Sequence, residues 1–353
     1  MMPKNLCIKA ERVMGESVRR TLLRLGLFDN SRKIKTTGDT LLIPISRKPR
    51  SDELTALKNV GRIRVVSMDL PATFARPKDL VEVLDGRLPP YLLAQLPRSY
   101  DMVGDIVVLE SLSAELAPHK KEIGEALMDL HPSIKTVLLK TGKVNGNFRV
   151  PRLEVMAGTE KFDTIHKEYG MKFKVDLSKV YFSPRLGSER HRIASSVSDG
   201  ETVVDMFAGV GPFSLMIAKR AKAKVYSIDL NPDAIKLLNE NIKMNSIRGE
   251  VIPICDDARK AAKRLAGAAD RIIMNLPASS LAFLDVASEI LKPGGGMIHL
   301  YVFATDEPST NAEKTFREAA NKLFKHYEIR AMLIVKPVAP KEWQVALDVW
   351  ASK

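Results

Sequence analysis

Four apolar runs in the C-terminal half of the chain end on residues that could do chemistry. In "VVDMFAGVGPF" the run ends at Asp205, and Phe207, Gly209, Gly211 and Pro212 follow. Glycines there let backbone approach a ligand closely, and a proline-led helix start leaves free N–H groups. The spacing is not the G-x-G-x-x-G of a dinucleotide site. "VYSIDL" brings Asp229 to the next strand end, where a carboxylate can accept from both ribose hydroxyls. Asn231-Pro232 follows as a helix cap, which Asp229 could instead assist. "VIPICDD" ends on Asp256-Asp257. One of these acids can accept from an adenine amino group while the other caps the next helix, and the sequence does not choose between them. Three acids at successive strand ends make a coherent nucleoside pocket.

The fourth run, "RIIMNLPASS", ends on Asn275, Leu276 and Pro277. In open α/β sheets ligands lie beyond the carboxyl ends of the strands, so Asn275 should face the same crevice as Asp205 and Asp229. Its amide offers two donors and an acceptor, enough to orient a substrate edge. The competing assignment is a cap on a helix starting in "PASS".

Elements that could hold these residues follow from periodicity. Strands are expected at "ETVVDMFAG", "AKVYSIDL", "EVIPICDD", "DRIIMNLP", "GGMIHLYVF", "YEIRAMLIVKPVAP" and "WQVALDVW", with helices over 212–222, 232–245, 258–265 and 280–291. This βαβ alternation predicts a doubly wound α/β sheet, closed by a terminal hairpin that puts one antiparallel strand at an edge. Upstream, 1–70 is a small α+β module rich in Lys and Arg. The stretch 71–97 carries five prolines and is expected to be a linker with short helices. A further α+β unit spans 98–185, with "YDMVGDIVVLESL" as a strand, "PHKKEIGEALMDLHP" as a helix and more strands after it. The catalytic domain is then 186–353.

Composition narrows the function. The 353 residues carry 55 Lys and Arg against 42 Asp and Glu, a net charge of +13. That surplus favours a polyanionic partner, nucleic acid before membrane. Cys7 and Cys255 form no CxxC pair, and His166 and His191 are isolated from other ligand types, so no metal site is expected. No signal peptide and no apolar run of membrane-spanning length is evident, so a soluble cytoplasmic protein is expected.

The mostly parallel sheet with an antiparallel edge strand resembles class I methyltransferases, and D-x-F-x-G-x-G resembles their first motif for S-adenosylmethionine (AdoMet). "NLP" resembles the Asn-Pro-Pro-Tyr of amino-group methyltransferases of nucleic acids but lacks the aromatic that stacks on the base, which argues against an exocyclic amine acceptor. Together with "KVYFSPRLGSERHRI", "FRVPRLEVMAG", "TIHKEYG" and the terminal "VAPKEW…ALD", these motifs resemble the archaeal and eukaryotic tRNA (guanine-37-N1)-methyltransferase family over roughly residues 100–350. The resemblance implies AdoMet as cofactor and a tRNA carrying guanosine 37 as partner; a monomer is expected. It implies Glu189 as general base, Arg149 as the contact to guanine O6, and Asn275 as a substrate-orienting group beside the cofactor. Tyr181 and Arg185 fall in the pocket wall, Arg185 toward the cofactor and Tyr181 with Pro277 toward the substrate. Pro151 departs from the family pattern and makes Arg149 the less secure assignment. The chemistry agrees: guanine N1 must lose its proton to become a nucleophile, and charge then builds on O6. Without the resemblance, Glu189-Arg190 reads as a solvated helix face and Arg149 as a generic phosphate contact. The rivals are a wyosine-pathway paralogue, which transfers the aminocarboxypropyl group or methylates a tricyclic guanine, an enzyme with both activities, and a non-catalytic tRNA binder.

Overall fold

The computed structural model describes residues 5–71, 77–142 and 150–353. It divides into two units, Met1–Asp79 and Leu80–Lys353. In the first, β1 (Asn5–Glu11), α1 (Gly15–Arg24), β2 (Lys35–Thr37), β3 (Thr40–Pro44), α2 (Ser51–Lys58) and β4 (Ile63–Met68) build an antiparallel sheet in the order β2-β3-β1-β4. Val18 and Leu22 of α1 bury against Ile8 of β1 and Ile43 of β3. Gly26, at φ 65°, ends the helix where a left-handed residue is required. The central strand β1 went unrecognised in the sequence, because Leu6-Cys7-Ile8 is a short apolar run and polar neighbours break it.

The second unit opens with α3 (Leu80–Leu84) and α4 (Pro90–Leu93). Here the expected linker is corrected. Leu80, Leu84, Leu88, Leu92 and Leu96 are buried with Ile123 and Leu127, so residues 80–97 are packed structure and not a tether. The strand read in "YDMVGDIVVLESL" is a hairpin of two, β5 (Asp101–Val103) and β6 (Ile106–Leu109), turning at Gly104 with φ 57°. α5 (Lys120–Leu130) crosses to β7 (Thr136–Lys140), which pairs parallel to β6, and β8 (Leu153–Gly158) completes a sheet in the order β5-β6-β7-β8. β9 (Asp163–Glu168) and β10 (Met171–Asp176) form a separate hairpin. Val103, Ile106 and Val108 share one core with Met171, Phe173 and Val175 and with Phe213 and Leu215 further on. The boundary placed at residue 185 is therefore not a break in packing.

α6 (Gly187–Ser195) leads into β11 (Thr202–Asp205), α7 (Pro212–Arg220), β12 (Lys224–Asp229), α8 (Pro232–Met244), β13 (Glu250–Cys255), α9 (Ala258–Arg264), β14 (Arg271–Met274), α10 (Leu284–Ile290), β15 (Gly296–Thr305), α11 (Pro308–Ala320), β16 (His326–Ala339) and β17 (Glu342–Ser352). The sheet order is β13-β12-β11-β14-β15-β17-β16. Its strands are parallel from β13 to β15, and β17 runs antiparallel between β15 and β16. That is the expected doubly wound sheet with its closing hairpin. α11 was not foreseen: its residues are mostly polar, and only Ala312, Phe316 and Ala320 are buried, spaced four apart on one face. Among the described residues no helix is long and apolar enough to cross a membrane.

Candidate active site

The strand ends of β11 and β12 set two carboxylates side by side. Asp205 is 1% exposed. Its Oδ2 accepts from Ser214 Oγ of α7 at 2.8 Å, and that hydroxyl in turn accepts from Ser227 Oγ of β12 at 2.8 Å. Oδ1 of Asp205 is buried with no hydrogen-bond partner among the described residues. Burial, with the nearby charge of Asp229 as a smaller cause, pushes its carboxyl up to about 7. Asp229 accepts from the Gly209 amide at 2.7 Å and the Asn231 amide at 2.9 Å, and burial raises its carboxyl too. So Asp229 does brace the cap, yet it also ties the glycine turn to the second strand. Gly209 lies at φ 56°, and a methyl group there would come no closer than 4.0 Å to the Tyr181 carbonyl. Gly211, at φ 83°, is crowded instead: a Cβ would fall 2.2 Å from Leu238.

These features fit AdoMet. A cationic ligand relieves two crowded carboxylates, an orphaned acid oxygen can receive a donor, and the open side of Gly209 admits a close approach. Phe207 stands half-buried at the same turn, its ring edge-to-face with Phe283 at 5.1 Å. The choice left open between the paired acids narrows. Asp257 caps α9 by accepting from the Arg259 amide at 2.8 Å. Asp256 pairs with Arg264 at 2.7 Å and accepts from the Asp257 amide, and it keeps lone pairs for an adenine amino group.

Asn275 is not a helix cap. The turn after β14 is closed by Ser280, whose hydroxyl donates to the Met274 carbonyl at 2.9 Å and accepts from the Leu276 amide at 3.2 Å. Asn275 instead accepts from Gln344 Nε2 of β17 at 3.3 Å, which orients its amide with the NH2 left for another group. Pro277 follows, half-buried, at the same edge.

Glu189 and Arg190 are buried, 7% and 1% exposed, which overturns the solvated-face reading. Arg190 forks onto Glu168 of β9 and donates to the Ser183 carbonyl at 3.2 Å, anchoring the start of α6. Glu189 lies in the first turn of that helix, where the dipole favours an anion. It accepts from Arg192 Nε at 2.9 Å, Arg192 Nη2 at 2.6 Å and Tyr301 Oη at 2.7 Å. Tyr301 follows Leu300, which pairs with Met274, so the carboxylate of Glu189 is tied to the strand beside the one that ends in Asn275.

The segment before α6 crosses the glycine turn. The Lys179 carbonyl accepts from Asn231 Nδ2 at 2.7 Å, and the Tyr181 carbonyl faces Gly209. The Tyr181 side chain is 48% exposed and lines a small cavity with Lys140, Pro151 and Phe182. Arg185 pairs with Asp101 at 2.5 Å. Lys336 of β16 stands close by, its ammonium pushed down by burial and opposed by Arg185 and Lys140. Arg149 lies outside the described residues. Gln344, Lys336, Tyr301, Arg192 and Asp348 are site residues that sequence reasoning missed. The signal available was a polar residue inside an apolar strand, as in "VALDVW". No cluster of three or more His, Cys, Asp or Glu side chains able to hold a metal occurs among the described residues.

A glycine turn between two strand-end acids, on a sheet of this order, is the AdoMet site of a class I methyltransferase. Residues 164–330 match the TRM5/TYW2 methyltransferase domain, 80–161 the TYW2 N-terminal domain, and 7–53 the tRNA methyltransferase 5 N-terminal domain. The tRNA (guanine(37)-N(1))-methyltransferase Trm5b of Pyrococcus abyssi is 39% identical over 98% of this chain and 99% of its own. The chain belongs to the tRNA (guanine-37-N1)-methyltransferase family. A solved complex of aTrm5 with tRNALeu superimposes with TM-score 0.76 at 38% identity, covering 99% of this chain and 100% of that one. A tRNA(Phe) (4-demethylwyosine(37)-C(7)) aminocarboxypropyltransferase of Methanocaldococcus jannaschii is 37% identical but covers only 70% of this chain, and 96% of its own.

One expected outcome follows from Asp205. Its folded-state carboxyl titrates near 7 against an ordinary 3.8, so the fold prefers it neutral. Stability is then lost as pH rises from about 4 to 7. Asp205→Asn raises the melting temperature of the ligand-free protein by several degrees at pH 8 and far less at pH 4.5. It also weakens AdoMet binding. Thermal unfolding at the two pH values checks this, and an equal gain at both would contradict the burial argument.

Proposed function

We propose that this enzyme methylates N1 of guanosine 37 in tRNA, with Glu189 as general base. The observation that supports this best is a buried carboxylate at the start of α6, tied by Tyr301 to the strand edge where Asn275 and the two AdoMet acids stand. When bound, AdoMet supplies an electrophilic methyl group on a cationic sulfur. The chain does the rest. Asp229 holds the ribose hydroxyls, and Asp256 accepts from the adenine amino group. Asn275, oriented by Gln344, aligns the Watson–Crick edge of the guanine. Glu189 takes the N1 proton while the N1 electron pair goes to the methyl carbon, whose bond to sulfur breaks with its pair left on the departing thioether. Arg149 is proposed to meet the charge on O6.

The target base must leave its stack to reach this edge, and the exposed ring of Tyr181 with Pro277 offers the wall that receives it. Lys140, Arg185 and Lys336 beside that wall suit the flanking phosphates. The basic N-terminal unit is proposed to hold a distant part of the tRNA by shape and phosphate contacts. We also place the enzyme in the cytoplasm as a monomer.

The wyosine-pathway reading keeps support from the aminocarboxypropyltransferase relative and from the match of residues 80–161 to the TYW2 N-terminal domain. Methylation is favoured because the near-full-length relative is a guanine-37-N1 methyltransferase and because the N-terminal unit, matched by that family, is present. Two tRNA substrates separate the two readings, one unmodified with G37 and one carrying 4-demethylwyosine at position 37. With methyl-labelled AdoMet, label should appear in N1-methylguanosine; with carboxypropyl-labelled AdoMet, none should appear. Carboxypropyl label in the tRNA would overturn the methylation reading, and tight tRNA binding with no transfer from either would favour the non-catalytic binder.

A further inference from the structure

Glu189 does not stand on a simple ion pair. Arg192 forks between two carboxylates: it donates to both oxygens of Glu189 and also to both oxygens of Asp348 on β17. Asp348 is 7% exposed and Glu189 is 7% exposed, so one guanidinium serves two buried acids. The far side of Asp348 is closed by His299 of β15, whose Nδ1 lies 2.6 Å from Asp348 Oδ1. Nε2 of His299 lies 2.7 Å from Arg271 Nη1, which can only donate. His299 must therefore accept at Nε2 and donate from Nδ1–H to Asp348, as a neutral imidazole. Its complete burial, which pushes its basicity down, is consistent with that form. Arg271 of β14 is balanced separately by Glu201, at 2.8 and 3.2 Å. Counting charge, Glu189 and Asp348 give two negatives and Arg192 one positive, while Arg271 with Glu201 gives none.

An Arg–Glu pair alone makes a poor base: protonating the carboxylate would leave a guanidinium that is only 32% exposed without its anion. Here protonation of Glu189 leaves Arg192 still paired with Asp348, and the cluster goes from one excess negative charge to none. We infer that Asp348 is a positioning residue for the base: by sharing Arg192 it lets Glu189 accept the N1 proton without leaving any buried charge unpaired, while His299 fixes Asp348 and Tyr301 restrains Glu189. The inference rests on Glu189 being the base.

Two substitutions should move the acidic limb of the kcat–pH profile in opposite directions. Asp348→Asn leaves Arg192 to Glu189 alone. The cluster then holds a proton less readily, the acidic limb moves to lower pH, and the kcat plateau falls roughly tenfold or more, with KM for tRNA and AdoMet affinity nearly unchanged. Tyr301→Phe removes a donor to the ionised carboxylate and moves the limb to higher pH. Opposite shifts support the proposal. Shifts in the same direction, or no shift in either variant with kcat intact, would overturn it, since loose packing alone moves no limb in two directions. If Asp348→Asn fails to fold, as read by AdoMet binding and melting temperature, Asp348→Ser, which also removes the shared charge, is read in its place, and an unmoved acidic limb with intact kcat would overturn the proposal. Glu189→Gln is run in parallel. If it retains full turnover, the base assignment itself fails, and that is distinguishable from a functioning base that is indifferent to Asp348.

Discussion

Glu189→Gln lowers kcat for methyl transfer to G37 by roughly 10²–10⁴-fold, the range expected for loss of a general base, and leaves the AdoMet dissociation constant within a few-fold of its starting value. The substitution is close to isosteric. Glutamine Oε1 can still accept from Tyr301 Oη and Arg192 Nη2, while its NH2 faces the Arg192 Nε–H and forfeits that one hydrogen bond, and Arg192 stays held by Asp348. Packing around α6 should therefore survive, and what disappears is the capacity to take a proton. KM for tRNA should also change little, because the base is needed as N1 loses its proton and not to hold the anticodon arm. Single-turnover kinetics with saturating AdoMet, beside equilibrium binding of AdoMet, check this directly. A parallel loss in turnover and in cofactor affinity would remove Glu189 from the base role and assign it to the architecture of the site.

How far the sequence carried this reading depends on the range of the interactions. The strand-end acids were legible because each ends a continuous apolar run, and a parallel sheet brings such ends to one edge. Asn275 was legible for the same reason. The orientation of its amide was not, since Gln344 approaches from a strand 69 positions later in the chain. The anchoring of Glu189 was hidden in the same way. Glu168 in "TIHKEYG" holds Arg190, and Asp348 in "ALD" holds Arg192; the two motifs lie on either side of α6 in the chain and meet only once the sheet has formed. His299 and Asp348 pair across β15 and β17, a register that no local pattern encodes. Proline count misled at 71–97, where leucine spacing was the stronger signal: residues 80, 84, 88, 92 and 96 recur at helical intervals and are buried.

Asp229→Ala should have the converse profile to Glu189→Gln. On the proposed ribose role, two charge-assisted hydrogen bonds are removed, each worth about 1.5–3 kcal/mol, so the AdoMet dissociation constant should rise by roughly 10²-fold or more. The loss has a second source. Asp229 accepts from the Gly209 and Asn231 amides, so its removal also releases the turn that the cofactor must approach. Asp229→Asn separates the two contributions. Its carbonyl can serve one amide, but its NH2 faces the other donor, so it keeps the side-chain volume while breaking the clasp. At AdoMet concentrations far above the new dissociation constant, kcat should recover to within about tenfold, since neither the proton acceptor nor the guanine edge is touched. Isothermal titration against AdoMet, with turnover measured across a wide AdoMet range, gives both numbers. Unchanged affinity in Asp229→Ala would refute the ribose role and leave Asp229 as a brace for the glycine turn alone.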